Sequence, residues 1–236
     1  MSKPDYLIEF SSNQTAVVSV GNISPQAVRS AEPRTRLYLR IGKPLLDAVL
    51  TLLFLPIILP VVAVLALLVA CDGAQPFYIQ KRVGRNGRIF GMWKLRTMVP
   101  DAEDRLDAHL ASSDEVRTEW ELKQKLQDDP RITRVGRFLR RSSLDELPQF
   151  FNVLRGDMSI VGPRPMMAGQ EHLYPGKSYY ALRPGLTGPW QVSDRNASSF
   201  ADRACYDEAY FKDLSVSRDL RLIASTVDVV FRGTGC

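Results

Sequence analysis

The chain has 236 residues, enough for one domain with a hydrophobic core plus appendages and too few for two comfortable domains. Its formal net charge of +5 favours an anionic partner such as a lipid headgroup, a nucleotide or a nucleic acid, without choosing among them. Three widely separated cysteines (Cys71, Cys205, Cys236) and two isolated histidines (His109, His172) exclude a disulfide framework, a CxxC site and a zinc enzyme, so the chain reads as reduced and cytosol-facing.

Residues 1–33 mix Ser, Asn, Gln, Thr and Pro without periodicity and read as a mobile tail with no assigned function. From Ala48 to Cys71 an uncharged run of Leu, Val, Ile and Ala follows, long enough as a helix to cross the hydrocarbon core of a bilayer once. Two features weigh against a simple crossing. Pro56 and Pro60 stand mid-run, where each removes a backbone donor, so a kink or break is expected there. Both flanks are basic, with Arg34, Arg36, Arg40 and Lys43 before the run and Lys81, Arg82, Arg85 and Arg88 after it. A re-entrant helix that returns to the same face keeps both basic clusters on the cytoplasmic side. The expected organisation is a tail (1–33), a basic flank with the re-entrant membrane helix (34–73) and a cytosolic domain (74–236).

After the run, alternating apolar and charged residues around Gly84, Gly87 and Gly91 predict a small β-hairpin. Residues Asp101 to Asp129 carry both charge signs with interspersed leucines, the pattern of surface helices. The stretch GDMSIVGPRP reads as a loop, and Leu220, Ile223, Val227 and Val230 predict a final helix over Ser217 to Phe231. The fold class is therefore α+β, mainly α, with a membrane-bound helix and a cytosolic domain.

Chemistry concentrates in LRRSSLDELPQFFNVL. Asp145 and Glu146 adjoin what reads as a helix start, with Ser143 and Glu146 at capping-box spacing and Pro148 in a first turn. Adjacent helical residues point about 100° apart, so one carboxylate can attack while the other handles protons. Such a pair is also an ordinary cap, and the surrounding cations decide the matter: Lys94, Arg96, Arg140, Arg141 and, in a Gly-Pro-Arg-Pro loop, Arg164. Guanidinium groups suit a diphosphate, although Arg140 and Arg141 suit anionic lipid headgroups equally well. No base-reading motif is present, so nucleic acid is not an expected partner.

SLDELPQFFNVLRGDMSIVGPRP, with QKRVGRNGRIFGMWKLRTM before it and LRPGLTGPWQVSDRN after it, resembles the bacterial sugar transferase family, the monotopic phosphoglycosyl transferases, from about Lys43 to Gly235. Its brevity resembles the short exopolysaccharide-initiating members of the ExoY kind. The resemblance implies transfer of a hexose-1-phosphate from a UDP-sugar (UDP-galactose or UDP-glucose) to undecaprenyl phosphate, releasing UMP, at the bacterial inner membrane with the catalytic domain facing the cytoplasm. It implies Asp145 as nucleophile and Mg²⁺ ligand and Glu146 in proton handling or support. It further implies substrate contacts from Lys94, Arg96, Arg140, Arg164, Arg183, Gln191, Arg195 and Asp219, of which Asp219 reads equally as the cap of the last helix. Self-association is an open expectation. The sequence departs from the family in two places: Leu59 precedes Pro60 where the family has Ser, and Asp194 stands where it has Gly, within a PWQ rather than WAQ order.

Overall fold

The computed structural model describes residues 33–71, 75–123, 126, 128–193 and 200–231. The N-terminal tail lies almost wholly outside the described residues, as do Asp194 and Arg195.

A short helical turn (Pro33–Leu37) and a π-helical turn (Tyr38–Gly42) lead into α1, Lys43–Ala70, 28 residues or about 42 Å long. Pro56 and Pro60 lie inside α1, which continues through both without interruption. The two prolines stand four apart, so the donors missing opposite the Leu52 and Pro56 carbonyls fall on one face. Ile58 and Val62, two residues either side of Pro60, are buried.

Lys43, Asp47, Thr51, Ile58, Val62, Leu65 and Val69 form one buried stripe along the whole of α1. Its other faces expose Leu45, Val49, Leu52, Leu53, Ile57, Val64 and Leu67. Solvent water offers no reason for so many exposed aliphatic side chains, whereas lipid does. The helix is long and apolar enough to cross a membrane.

The expected hairpin is present: β1 (Phe77–Val83) pairs antiparallel with β2 (Ile89–Leu95), from Phe77 opposite Leu95 to Val83 opposite Ile89. Its turn holds Asn86 and Gly87 at φ of 62° and 73°, the left-handed region that Asn and Gly enter most easily. Two surface helices follow, α2 (Ala102–Ser112) and α3 (Asp114–Lys123), then α4 (Arg134–Ser142) and the short α5 (Gln149–Leu154).

The GDMSIVGPRP stretch, expected to be a loop, contains a strand, β3 (Ser159–Val161), parallel to β4 (Gly185–Thr187). Three residues are too few to leave a readable alternation, and the pairing partner of Ser159 lies 26 residues away in sequence, at Gly185. The chain ends in α6 (Arg203–Lys212) and α7 (Val216–Phe231), the latter as expected. The main core gathers Met92, Val153, Met158, Ile160, Val161, Leu182, Tyr210, Leu214 and Leu222 from the hairpin, α5, β3, α6 and α7. A second cluster joins Leu65 and Val69 of α1 to Leu95 and Leu139, so both ends of the apolar helix rest on the same globule.

Candidate active site

Helix α4 begins at Thr133, whose Oγ1 accepts from the Gly136 amide at 2.9 Å. Glycine is needed at 136: a Cβ there would stand 2.0 Å from the Thr97 carbonyl oxygen. That close approach to the chain leaving β2 lets Arg140 Nε donate to Thr97 Oγ1 at 2.9 Å. Helix α4 ends at Ser143, which turns left-handed (φ 56°) as its amide bonds back to the Arg140 carbonyl. The expected capping box is therefore absent. Ser143 is the C-cap of the preceding helix, its side chain makes no cap bond, and residues Leu144–Glu146 form a 3₁₀ turn before α5. Pro148 is the N-cap of α5.

The two carboxylates diverge across that turn. Asp145 is buried, with its side chain 11% exposed, while that of Glu146 is 35% exposed. Leu144 and Leu147 flank the pair and pack on Leu65, Val69, Leu95 and Leu139. Lys94 on β2 donates to Glu146 Oε1 at 2.8 Å, with its Nζ 3.8 Å from Asp145 Oδ2. Burial pushes the Asp145 carboxyl up to about 6, opposed by Lys94 and aided by the Glu146 charge. Burial pushes Glu146 upward too, but Lys94, Arg164 and Arg82 outweigh it and hold that carboxyl below its ordinary value. One acid is thus ionised throughout the neutral range and its neighbour titrates near its lower edge.

Arg164 and Arg82 act electrostatically on Glu146, and Arg203 of α6 acts on both of these arginines. Burial and the Arg164 charge lower Arg82, and the same two causes push Arg203 down to about 10. Trp190 carries two of the guanidinium groups, Arg203 at 4.2 Å and Arg164 at 5.6 Å from its ring centre. None of the three arginines enters a salt bridge among the described residues, and the Nε atoms of Arg82 and Arg203 are buried without a hydrogen-bond partner. Cations that repel one another beside a carboxylate pair form a site shaped for a multiply charged anion.

Of the residues singled out from sequence, Asp145, Glu146, Lys94, Arg140 and Arg164 come together here. Arg96 lies one residue from Thr97, its Nε buried and unpartnered. Gln191 is buried next to Trp190, its Oε1 likewise unpartnered.

Arg183 and Asp219 sit elsewhere, at the junction of α1 with the domain. Arg183 donates to Asp47 Oδ2 at 2.6 Å, and Asp47 also accepts from the Ser159 hydroxyl and the Ile160 amide. Asp219 accepts from Lys43 Nζ (2.6 Å), Tyr210 (2.5 Å) and Tyr38 (2.7 Å). With both oxygens engaged across elements and 1% of its surface exposed, Asp219 binds α7 to α1 rather than capping α7. Arg195 lies outside the described residues.

Arg82, Arg203 and Asn152 were not singled out. Strand alternation carried a signal for Arg82, since Arg82 pairs with Phe90 and Tyr78 with Lys94, which puts Arg82 and Lys94 on one face of the hairpin. Asn152, fully buried, accepts from the Trp93 amide and donates to the Gly91 carbonyl, fixing β2 against α5. No group of three or more His, Cys, Asp or Glu converges as a metal cage among the described residues. Mg²⁺, however, needs only one or two protein carboxylates when substrate phosphates and water complete its shell, a donor set that the Asp145 carboxylate fits.

A buried acid, its lysine and three arginines that form no salt bridge among the described residues, beside a helix with an exposed aliphatic face, describe an anion-handling membrane-associated protein. The chain matches the bacterial sugar transferase family over residues 38–233 and belongs to it. It is 41% identical over 198 residues to the UDP-galactose-lipid carrier transferase of Erwinia amylovora, covering 83% of this chain and 42% of that protein. It is 42% identical over 198 residues to the undecaprenyl-phosphate galactose phosphotransferase of Salmonella typhimurium, again covering 42% of the relative. The exopolysaccharide production protein ExoY of Rhizobium meliloti is 38% identical over 213 residues, 89% of this chain and 93% of that one. The chain thus spans about two fifths of the first two relatives and nearly all of the third.

Proposed function

We propose that this protein transfers a hexose-1-phosphate from a UDP-sugar to undecaprenyl phosphate at the cytoplasmic face of the bacterial inner membrane, as an initiating step of exopolysaccharide synthesis. The observation that carries the reading is the buried Asp145 beside Lys94 and Glu146, faced by Arg82, Arg164 and Arg203. An Asp145 oxygen attacks the sugar-bonded phosphorus of the donor, and the bond from that phosphorus to the bridging oxygen breaks, so UMP leaves with the electron pair. An oxygen of the lipid phosphate then attacks the same phosphorus and displaces the Asp145 carboxylate, which is regenerated. The arginines hold the diphosphate through both its charges and its shape. Glu146, kept ionised by Lys94, accepts a proton from the incoming lipid phosphate where that group is singly charged. Mg²⁺ bound at Asp145 and the donor phosphates would neutralise charge as the anionic nucleophile approaches.

The monotopic topology is part of the same proposal. Lys43, Asp47 and Thr51 at one end of α1 and Leu65 and Val69 at the other pack on one globule, which favours a helix seated along one face of the bilayer over one that crosses it. The hexose assignment rests on the galactose named for relatives.

The test is purified protein in lipid nanodiscs with Mg²⁺, undecaprenyl phosphate and a panel of UDP-sugars. Release of UMP together with a lipid-linked sugar, abolished by Asp145→Asn, is the expected result. Release of UDP identifies direct glycosyl transfer, and UMP without lipid product identifies a hydrolase; either contradicts the proposal.

A further inference from the structure

Beside the last turn of α1 lies a second depression, separate from the Arg82, Arg164 and Arg203 face. It is a cavity of about 390 Å³ lined by Val69, Met98, Val99, Pro100, Pro130 and Ile132, with Arg96, Arg105, Thr133 and Arg134 at its walls. Its cations are unequally occupied. Arg105 is paired with Asp101 at 2.9 Å, whereas the guanidinium of Arg96 makes no hydrogen bond or ion pair among the described residues, and its Nε is buried. Arg134 is exposed, and the first turn of α4 opens here with the amides of its first two residues outside the helical ladder.

Three relations tie this cavity to the reacting carboxylate and to the bilayer. Thr97, next to Arg96, accepts from Arg140, whose charge acts on Asp145. Leu144, next to Asp145, packs with Val69, which also lines the cavity. Leu67 and Leu68, one and two residues before Val69 on α1, are exposed aliphatic side chains suited to lipid. A ligand that is apolar along its length and carries a phosphate at one end matches this wall chemistry, and a nucleotide does not.

From these relations we infer that the cavity at the C-terminal end of α1 seats the acceptor, with its phosphate on Arg96 and Arg134 and its first prenyl units on Val69, Met98, Val99 and Ile132. The inference rests on the sugar-phosphate transfer proposed above and divides the site into two sides. The donor diphosphate meets Arg82, Arg164 and Arg203, and the acceptor phosphate approaches Asp145 from the side of α1. A larger cavity of about 650 Å³ at the other end of α1, lined by Arg40, Arg85, Arg88 and Arg183, opens at the hairpin turn. Its hairpin-turn end lies roughly 20 Å along the strand from Lys94.

The two half-reactions test the division. Wild type, Arg96→Gln and Arg134→Gln in nanodiscs are each given donor alone and then donor with graded undecaprenyl phosphate. Expected is an unchanged UMP burst with donor alone, and an acceptor KM raised about tenfold or more in each variant. Because Arg134 is exposed, its variant keeps the test valid where Arg96→Gln folds poorly, and a thermal melt checks both. An unchanged acceptor KM overturns the inference, as does a burst that falls in step with the transfer rate. If wild type itself releases no UMP, the proposed function falls first and the acceptor site with it. A parallel series with excess phosphatidylglycerol separates the acceptor from bulk lipid: KM should hold, and a KM that climbs with phosphatidylglycerol makes the cavity a general headgroup site.

Discussion

Replacing Asp145 by Asn should make the protein inactive and more stable at the same time. Burial raises the Asp145 carboxyl from an ordinary value of 3.8 to about 6, so the ionised form is the disfavoured one in the folded state. Well below pH 4 the group is protonated whether the chain is folded or not, and it costs nothing. As pH rises from 4 to 6 the unfolded chain loses the proton while the folded one retains it, and stability declines. Above 6 the penalty is complete, on the order of 3 kcal/mol for a carboxyl displaced that far. Asn cannot ionise, and its amide is nearly isosteric. The variant should therefore match wild type near pH 4 and exceed it above pH 6, by roughly 6–12 °C in melting temperature for a chain of this length. Melting in detergent across pH 4–8, without nucleotide or metal, reads the difference directly. A gap that is independent of pH, or an Asn variant less stable than wild type at pH 7, would refute the burial argument.

Three further outcomes follow from the same geometry. Lys94→Met removes the cation that most opposes the rise of the Asp145 carboxyl, so the acid limb of the pH–rate profile for UMP release should move to higher pH; an unmoved limb means that Asp145 ionisation does not control the step. Lys43→Met leaves Asp219 buried without its cation and should cost about 3–5 kcal/mol in denaturant melts, part of which the double variant Lys43→Met/Asp219→Leu recovers. A loss below about 1 kcal/mol would contradict the junction's role. Gly136→Ala drives a Cβ against the Thr97 carbonyl and should cost about 1–3 kcal/mol, with lower activity as the Arg140–Thr97 bond loosens; wild-type melting and turnover would show that α4 can simply shift.

The parts of the fold with local signatures were legible in the sequence. The charge-free run gave α1, alternation gave the hairpin, and the 3.6-residue spacing of Leu220, Ile223, Val227 and Val230 gave α7. What failed depended on distant partners. Strand β3 exists because β4 pairs with it, and Ser143 looked like an N-cap because nothing local reveals that α4 ends on it. The prolines predicted a break, yet α1 continues through both, with Ile58 and Val62 buried on either side of Pro60. The acid pair and the arginine of the Gly-Pro-Arg-Pro loop were readable as residue types suited to phosphate. Arg203 was not, because it reaches the site through Trp190, nor was the tie of Asp219 to α1, because its partner Lys43 stands 176 residues earlier.

The most direct test of the central claim is the intact mass of the protein after exposure to its UDP-sugar and Mg²⁺ with no lipid acceptor. The account predicts a gain of one sugar phosphate, mapped to Asp145, absent in Asp145→Asn and lost when undecaprenyl phosphate is added. Lipid product formed by the Asn variant, or turnover by wild type with no adduct and with UDP as the leaving nucleotide, would contradict it.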